Sequence, residues 1–256
     1  MSGGQDHGRA ADGSDASIGV GPATGGEAGA ARPRQAILAI DTATAQAVVA
    51  LGGPEGELLG ALVWQAGYRH GEELLARIDE LLVRAGLSVA DIGAIVVGTG
   101  PGAFTGLRVG LATAKALAYS LARPIVGVSS GRALLTAAAA ARPGAAMALL
   151  LPAGPSDRVV VYEDGSAALV PGGSEPGLPA ATTVVAVDLD GRAPDDACVL
   201  GREARDGLAA ALVALGAGRL AAGRGDGLAE LVPEYVTLPR GVRSTDGEVR
   251  WSRDRR

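Results

Sequence analysis

The run Gly98-Thr-Gly-Pro-Gly-Ala-Phe-Thr-Gly-Leu-Arg-Val-Gly110 follows the apolar stretch Ala94-Ile-Val-Val97 and opens onto a helical pattern. This feature constrains the fold most. It sets conformationally permissive residues and the orphan N–H groups of a helix start at the carboxyl end of a buried strand. In α/β proteins, ligands and partners gather at such places.

The rest of the composition narrows the field. Only 3% of the chain is aromatic while 48% is hydrophobic, so the core must be built from Ala, Leu, Val and Ile. At 256 residues the chain can make one large domain or two of modest size. A net charge of -5, with arginines scattered, gives no strong nucleic-acid surface. Cys198 is the sole cysteine, which excludes an internal disulfide and a cysteine metal cluster. His7 and His70 are far apart and carry no zinc spacing. The first residues lack the basic-then-apolar order of a secretory signal, and no apolar run reaches membrane-spanning length, so a cytoplasmic protein is expected.

Residues 1–34, rich in Gly, Ala, Ser and Asp, are expected to form a disordered extension. Ala36–Ile40, Ala47–Leu51 and Leu58–Val63 read as three strands of an antiparallel meander. Gly71–Ala85 is the clearest helix, with Leu74, Leu75, Ile78, Leu81 and Leu82 at helical spacing and Gly86 as its C-cap. A strand over 94–97 follows, then a helix from Thr105, its cap, to Leu121. Next come a strand over Pro124–Val128 and a helix capped by Ser129 or Ser130. After Gly144, strands are expected at 147–151, 158–162, 167–170 and 183–187. A helix over Asp206–Leu220, broken near Gly216 or Gly218, completes the pattern. The predicted division is a first lobe over 35–144, a second over 145–240 and a flexible tail over 241–256.

Gly98, Gly100 and Ala103 formally satisfy a dinucleotide-binding pattern. However, the acid required about 20 residues on is missing, since no Asp or Glu lies between Asp91 and Asp157. A P-loop fails because Leu107 follows Gly106 where Lys is needed. Two readings of the loop stay open. In one, Arg108, a cation unfavourable to the helix start, faces an anion or a partner carboxylate. In the other, the glycines only permit close packing and Arg108 is solvated. Asp41-Thr-Ala-Thr44 sits where the first strand turns. An acid there holds a metal–phosphate in actin-like phosphotransferases, but Ala43 stands in the glycine place, and Asp41 and Thr42 equally suit a turn. Asp188-Leu-Asp-Gly191 could serve as a second phosphate loop or as an ordinary turn. Cys198 reads as a small buried hydrophobe.

Taken in order, Ile40-Asp-Thr-Ala43, His70-Gly-Glu-Glu-Leu-Leu75, Ile78-Asp-Glu-Leu-Leu82, the Pro101-Gly-Ala-Phe-Thr-Gly-Leu-Arg108 run and Gly127-Val-Ser-Ser130 resemble the bacterial TsaB (YeaZ) family. The resemblance is strong over 36–130, and the second half follows in layout as far as Pro233-Glu-Tyr235. It implies an α/β, actin-like (ASKHA) two-lobed fold with ribonuclease H-like mixed sheets flanked by helices. It also implies a non-catalytic scaffold of the complex that makes threonylcarbamoyladenosine (t6A) at position 37 of tRNA. In that role the chain pairs with a TsaD-like transferase, alongside a TsaE-like ATPase, and can homodimerise. It reaches tRNA through the complex and carries no cofactor or metal of its own, ATP and Mg2+ being used by the partners.

Carried onto this chain, the interface falls on the first two long helices: His70, Leu74, Leu75, Ile78, Leu82, Thr105, Arg108, Leu111, Lys115 and Ala118. A degenerate nucleotide cleft falls on Asp41, Thr42, Thr44, Gly100 and Gly102. The expected consequence is that charging Leu111 abolishes pairing more than it lowers the melting temperature. The alternative is a stand-alone actin-like phosphotransferase using Mg-ATP through Asp41.

Overall fold

The computed structural model describes residues 17–18, 35–66 and 70–236. Along the chain run β1 (Ser17–Ile18), β2 (Ala36–Asp41), β3 (Gln46–Gly52), β4 (Leu58–Gln65), α1 (His70–Arg84), β5 (Ile92–Gly98), α2 (Phe104–Leu121), β6 (Ile125–Val128) and α3 (Ser130–Ala141). They continue with β7 (Met147–Pro152), β8 (Arg158–Tyr162), β9 (Ala167–Val170), β10 (Thr183–Ala186), α4 (Asp195–Asp206) and α5 (Leu208–Ala221).

Two sheets result. The first has the order β1-β4-β3-β2-β5-β6 and the second β10-β7-β8-β9. The expected meander is present: β2, β3 and β4 pair antiparallel, while β5 and β6 add in parallel to β2. Every residue of β2 is buried, as expected of a central strand covered on both faces. Side-chain alternation divides the first sheet between two cores. Leu38, Ile40, Val49, Leu51 and Val97 pack under α1 and α2, whereas Ile37, Ala39, Val48, Ala50 and Val96 pack toward α3, α5 and the second sheet. The other face of the second sheet lies on α4. The layers are therefore α1/α2, first sheet, α3/α5, second sheet, α4.

The structure adds to or departs from the expected pattern at three places. Of segment 1–34, Ser17–Ile18 is described, and it pairs antiparallel with β4, covering part of a strand edge that would otherwise be open. The rest of that segment and the tail 241–256 lie outside the described residues. Second, α5 is continuous through Gly216. A Cβ there would sit 2.2 Å from Val96, so the glycine allows α5 to press on the first sheet rather than breaking the helix. Its return also means that a boundary at 144/145 separates the sheets but not the packing, because α5 belongs to the first sheet. Third, α4 was unforeseen. Its buried positions Ala197, Cys198, Gly201 and Ala204 nevertheless fall at helical spacing, so the signal was present in small residues.

Candidate functional site: a filled cleft and an exposed helix face

The glycine loop meets the first turn with no room to spare. A Cβ on Gly98 would lie 1.8 Å from Asp41 Oδ2, one on Gly102 2.1 Å from the Ala43 carbonyl oxygen, and one on Gly110 2.2 Å from Thr42 Oγ1. Real Cβ contacts do not approach so closely, so any larger residue must displace the β2–β3 turn. The close-packing reading of these glycines is therefore the one the structure supports. The Thr42 hydroxyl donates to the Gly106 carbonyl at 2.7 Å, and the Ala103 N–H donates to the Ala43 carbonyl at 2.7 Å.

Asp41 is fully buried and both its carboxylate oxygens are taken. The Ala43 N–H donates to Oδ1 at 2.9 Å, and the Ser130 hydroxyl donates to Oδ2. Ser130 Oγ in turn accepts from the Gly100 N–H at 3.1 Å. Burial pushes the Asp41 carboxyl above its ordinary value, opposed in part by the bonds from Ser130 and Ala43. Thr44 spends its hydroxyl on the Gln46 carbonyl at 2.8 Å. Asp41, Thr42, Thr44, Gly100 and Gly102 lie around one turn, and the hydrogen bonds of the first four go to Ala43, Gly106, Gln46, Ser129 and Ser130 of the same chain. Among the described residues no group of three or more His, Cys, Asp or Glu gathers to hold a metal.

Capping differs from expectation at one helix. Ala103, not Thr105, is the N-cap of α2, without a side-chain cap, and Thr105 lies exposed inside the helix. At α3 the expectation divides. Ser129 caps the helix, accepting from the Arg132 N–H and donating to the Gly100 carbonyl at 3.0 Å, which leaves Ser130 free to bind Asp41.

Arg108 is exposed, as the close-packing reading expects, but it is partnered within its own chain. Its guanidinium lies 3.7 Å from the Phe104 ring centroid and its Nε donates to the Tyr235 hydroxyl at 3.0 Å. The aromatic face and phenol oxygen of its own chain supply the electron density that a foreign anion would have supplied. Glu234 adds a second clasp. Its N–H donates to the Thr99 carbonyl at 2.7 Å, and its side chain accepts from the Thr99 hydroxyl. Beside these residues, between the two sheets, lies a cavity of about 610 Å³ edged by Phe104, Leu151, Val159, Leu169 and Tyr235.

The interface residues divide by burial. Leu74, Ile78, Leu82, Leu111 and Ala118 are core residues packed between the helices and the first sheet, and this corrects their assignment to a partner surface. A side chain closed off by its own sheet offers no area to another protein. The expectation for Leu111 reverses with it. Leu75, Thr105 and Arg108 are exposed, and Lys115 is half-buried. His70 opens α1, and its side chain lies outside the described part of the structure. Sequence reading missed the exposed apolar residues Val83 and Tyr119 on the same pair of helices, 69% and 77% exposed. The signal was present, since Val83 lies two helical turns beyond Leu75, and Ala112, Ala116 and Tyr119 share a face.

The family described as TsaD, tRNA N6-adenosine threonylcarbamoyltransferase, matches residues 64–174. The chain is 39% identical over 94 residues to the tRNA threonylcarbamoyladenosine biosynthesis protein TsaB of Escherichia coli, covering 37% of this chain and 40% of that protein. It is 36% identical over 103 residues to the TsaB of Haemophilus influenzae, covering 40% of this chain and 42% of that protein. The chain thus aligns with less than half the length of these curated relatives. A solved structure of YeaZ from Pseudomonas aeruginosa superposes with a TM-score of 0.62 at 27% identity, covering 78% of this chain and 99% of that one. The mixed sheets flanked by helices match the actin-like YeaZ fold. No helix among the described residues is long and apolar enough to cross a membrane.

Proposed function

We propose, from its homology to the TsaB/YeaZ proteins, that the chain is a non-catalytic subunit of a complex that modifies tRNA to threonylcarbamoyladenosine. The observation that carries the reading is the match to nearly the whole of the solved YeaZ chain, 99% of its length. The cleft supports it: Asp41 is fully buried and each of its oxygens accepts a hydrogen bond from within the protein. In this role the chain pairs with a TsaD-like transferase. A TsaE-like ATPase joins them, the partners use ATP and Mg2+, tRNA is reached through the assembly, and the complex works in the cytoplasm.

The pairing surface is the outer face of α1 and α2. Leu75 and Val83 form its apolar ridge on α1, and Ala112, Ala116 and Tyr119 form it on α2, with Thr105 and Lys115 at its margin. Leu75 is 58% exposed, so three large apolar groups of one helix pair face solvent, the pattern of a surface awaiting a partner. The same face serves a second copy of the chain when the transferase is absent.

Co-expression with a TsaD-like transferase, followed by a tRNA modification assay with and without this chain, tests the reading. We expect co-purification and modification that depends on the chain. Equal modification without it overturns the proposal. The stand-alone phosphotransferase is tested separately by calorimetry of ATP and Mg2+ on the isolated chain, where no binding heat is expected.

A further inference from the structure

The strands fix how α1 and α2 lie. β4 pairs antiparallel with β3 and β3 antiparallel with β2, while β5 is parallel to β2, so β4 and β5 run the same way. Helix α1 returns from the end of β4 to the start of β5. Helix α2 returns from the end of β5 to the start of β6, which is parallel to β5. Both helices therefore run parallel to each other and begin at the same end of the sheet. Their outward faces carry opposite charge. On α1, Glu72 and Asp79 are exposed, seven positions apart, on the face of Val83. On α2, Arg108 is exposed and Lys115 half-buried, also seven apart, on the face of Ala112 and Tyr119. Seven residues span about two turns, or about 10 Å of helix, so the acids and the cations share one spacing.

Among the described residues, none of these four side chains enters an ion pair, whereas Arg77 and Arg84 on α1 both pair with Glu80. No Asp or Glu occurs in α2 to answer its cations. Phe104 and Tyr235 carry no formal charge. They hold Arg108 by one face of its plane and by Nε, and no hydrogen bond among the described residues uses its terminal nitrogens. A guanidinium held in place with those nitrogens open is suited to a carboxylate.

We propose that the outer face of α1 and α2 pairs with a second copy of this chain in a charge register, Glu72 of each copy against Arg108 of the other and Asp79 against Lys115. A two-fold axis running between the helices and along them lays α1 of each copy over α2 of the other in the same direction. Acids and cations of equal spacing then meet around the apolar residues Leu75, Val83, Ala112 and Tyr119. A two-fold axis across the helices would instead set α1 on α1 and α2 on α2, acid facing acid and cation facing cation. The charges therefore select one of the two arrangements. The second copy is the occupant that the chain itself specifies, because one face supplies both halves of the complementarity. The inference rests on the reading of α1 and α2 as the pairing surface and goes beyond it by fixing orientation and register.

Sedimentation velocity over a concentration series tests it on the full chain. One double variant carries Glu72→Lys and Asp79→Lys, the other Arg108→Glu and Lys115→Glu. Wild type is expected to dimerise. Each double variant alone opposes like charges and should self-associate about tenfold or more weakly than wild type. An equimolar mixture of the two should regain dimerisation, and the regain should fade as salt rises. Where Arg108→Glu disturbs folding through Tyr235, as a melting curve shows, Asp79→Lys mixed with Lys115→Glu repeats the test at a single contact. Tyr119→Glu in the wild-type background separates the two readings. If it abolishes dimers while the double variants dimerise as wild type does, or while their mixture is no tighter than its components, the charge register is overturned and the face stands. If dimers are untouched by Tyr119→Glu, the face is removed as well. A wild type that stays monomeric throughout the series also overturns the proposal.

Discussion

The cleft at the β2–β3 turn and the outer face of α1 and α2 lie on the same sheet and have opposite characters. At the turn, a fully buried aspartate is bonded to the Ser130 hydroxyl and three glycines leave no space for a Cβ. On the helix face, Leu75, Val83 and Tyr119 project outward with no partner among the described residues to cover them. The difference teaches that residue types associated with phosphate chemistry can persist as packing, while the proposed pairing surface carries no catalytic motif. Filled polar groups stabilise a fold, and uncovered apolar groups favour association.

The sharpest way to break the contrast is to charge one helix on its two sides. Leu111→Glu places a carboxylate in the core under α2, and should lower unfolding free energy by about 4 kcal/mol or more in urea titrations. A change below about 1 kcal/mol would show that α2 does not pack as described. Tyr119→Glu, on the opposite side, should leave stability within about 0.5 kcal/mol yet weaken co-purification with the transferase about tenfold or more. Undiminished pairing by Tyr119→Glu together with a Leu75→Glu variant would remove the helix face as the interface.

The smallest effect concerns the acid of the filled cleft. Burial raises the Asp41 pKa above 3.8 in the folded chain, so between that value and the higher folded one the native state holds more protons than the unfolded state. Stability from this group is therefore full below the unfolded pKa and declines as pH rises through the folded one. Asp41→Asn should flatten that part of the stability–pH curve while the rest keeps its shape. Urea midpoints measured across the acid and neutral range check the sign, and an unchanged slope would show that Asp41 is not the group responsible.

Much of this architecture was legible in the chain. The meander, the cap at Gly86, the glycine loop opening α2 and the strands of the second sheet follow from local apolar runs and turn residues, which act within a few positions of themselves. The cleft residues Asp41, Thr42, Thr44, Gly100 and Gly102 were also legible as a group. Their state was not. Whether Asp41 faces a ligand or Ser130 depends on an 89-residue separation closed only by the fold. Asp188 illustrates the same limit, since its partners Ala45 and Arg205 lie 143 and 17 positions away.

The amino-acid order alone determined the placing of the strands from Ala36 onward and of helices α1, α2, α3 and α5, because periodicity and backbone preference are local properties. The tertiary structure alone decided which side of each helix is core, that α5 returns to the first sheet, and that the cleft is occupied by the chain's own polar groups. An apolar stripe on a helix records the sum of what its neighbours bury, and only the packed neighbours divide that sum between sheet and solvent.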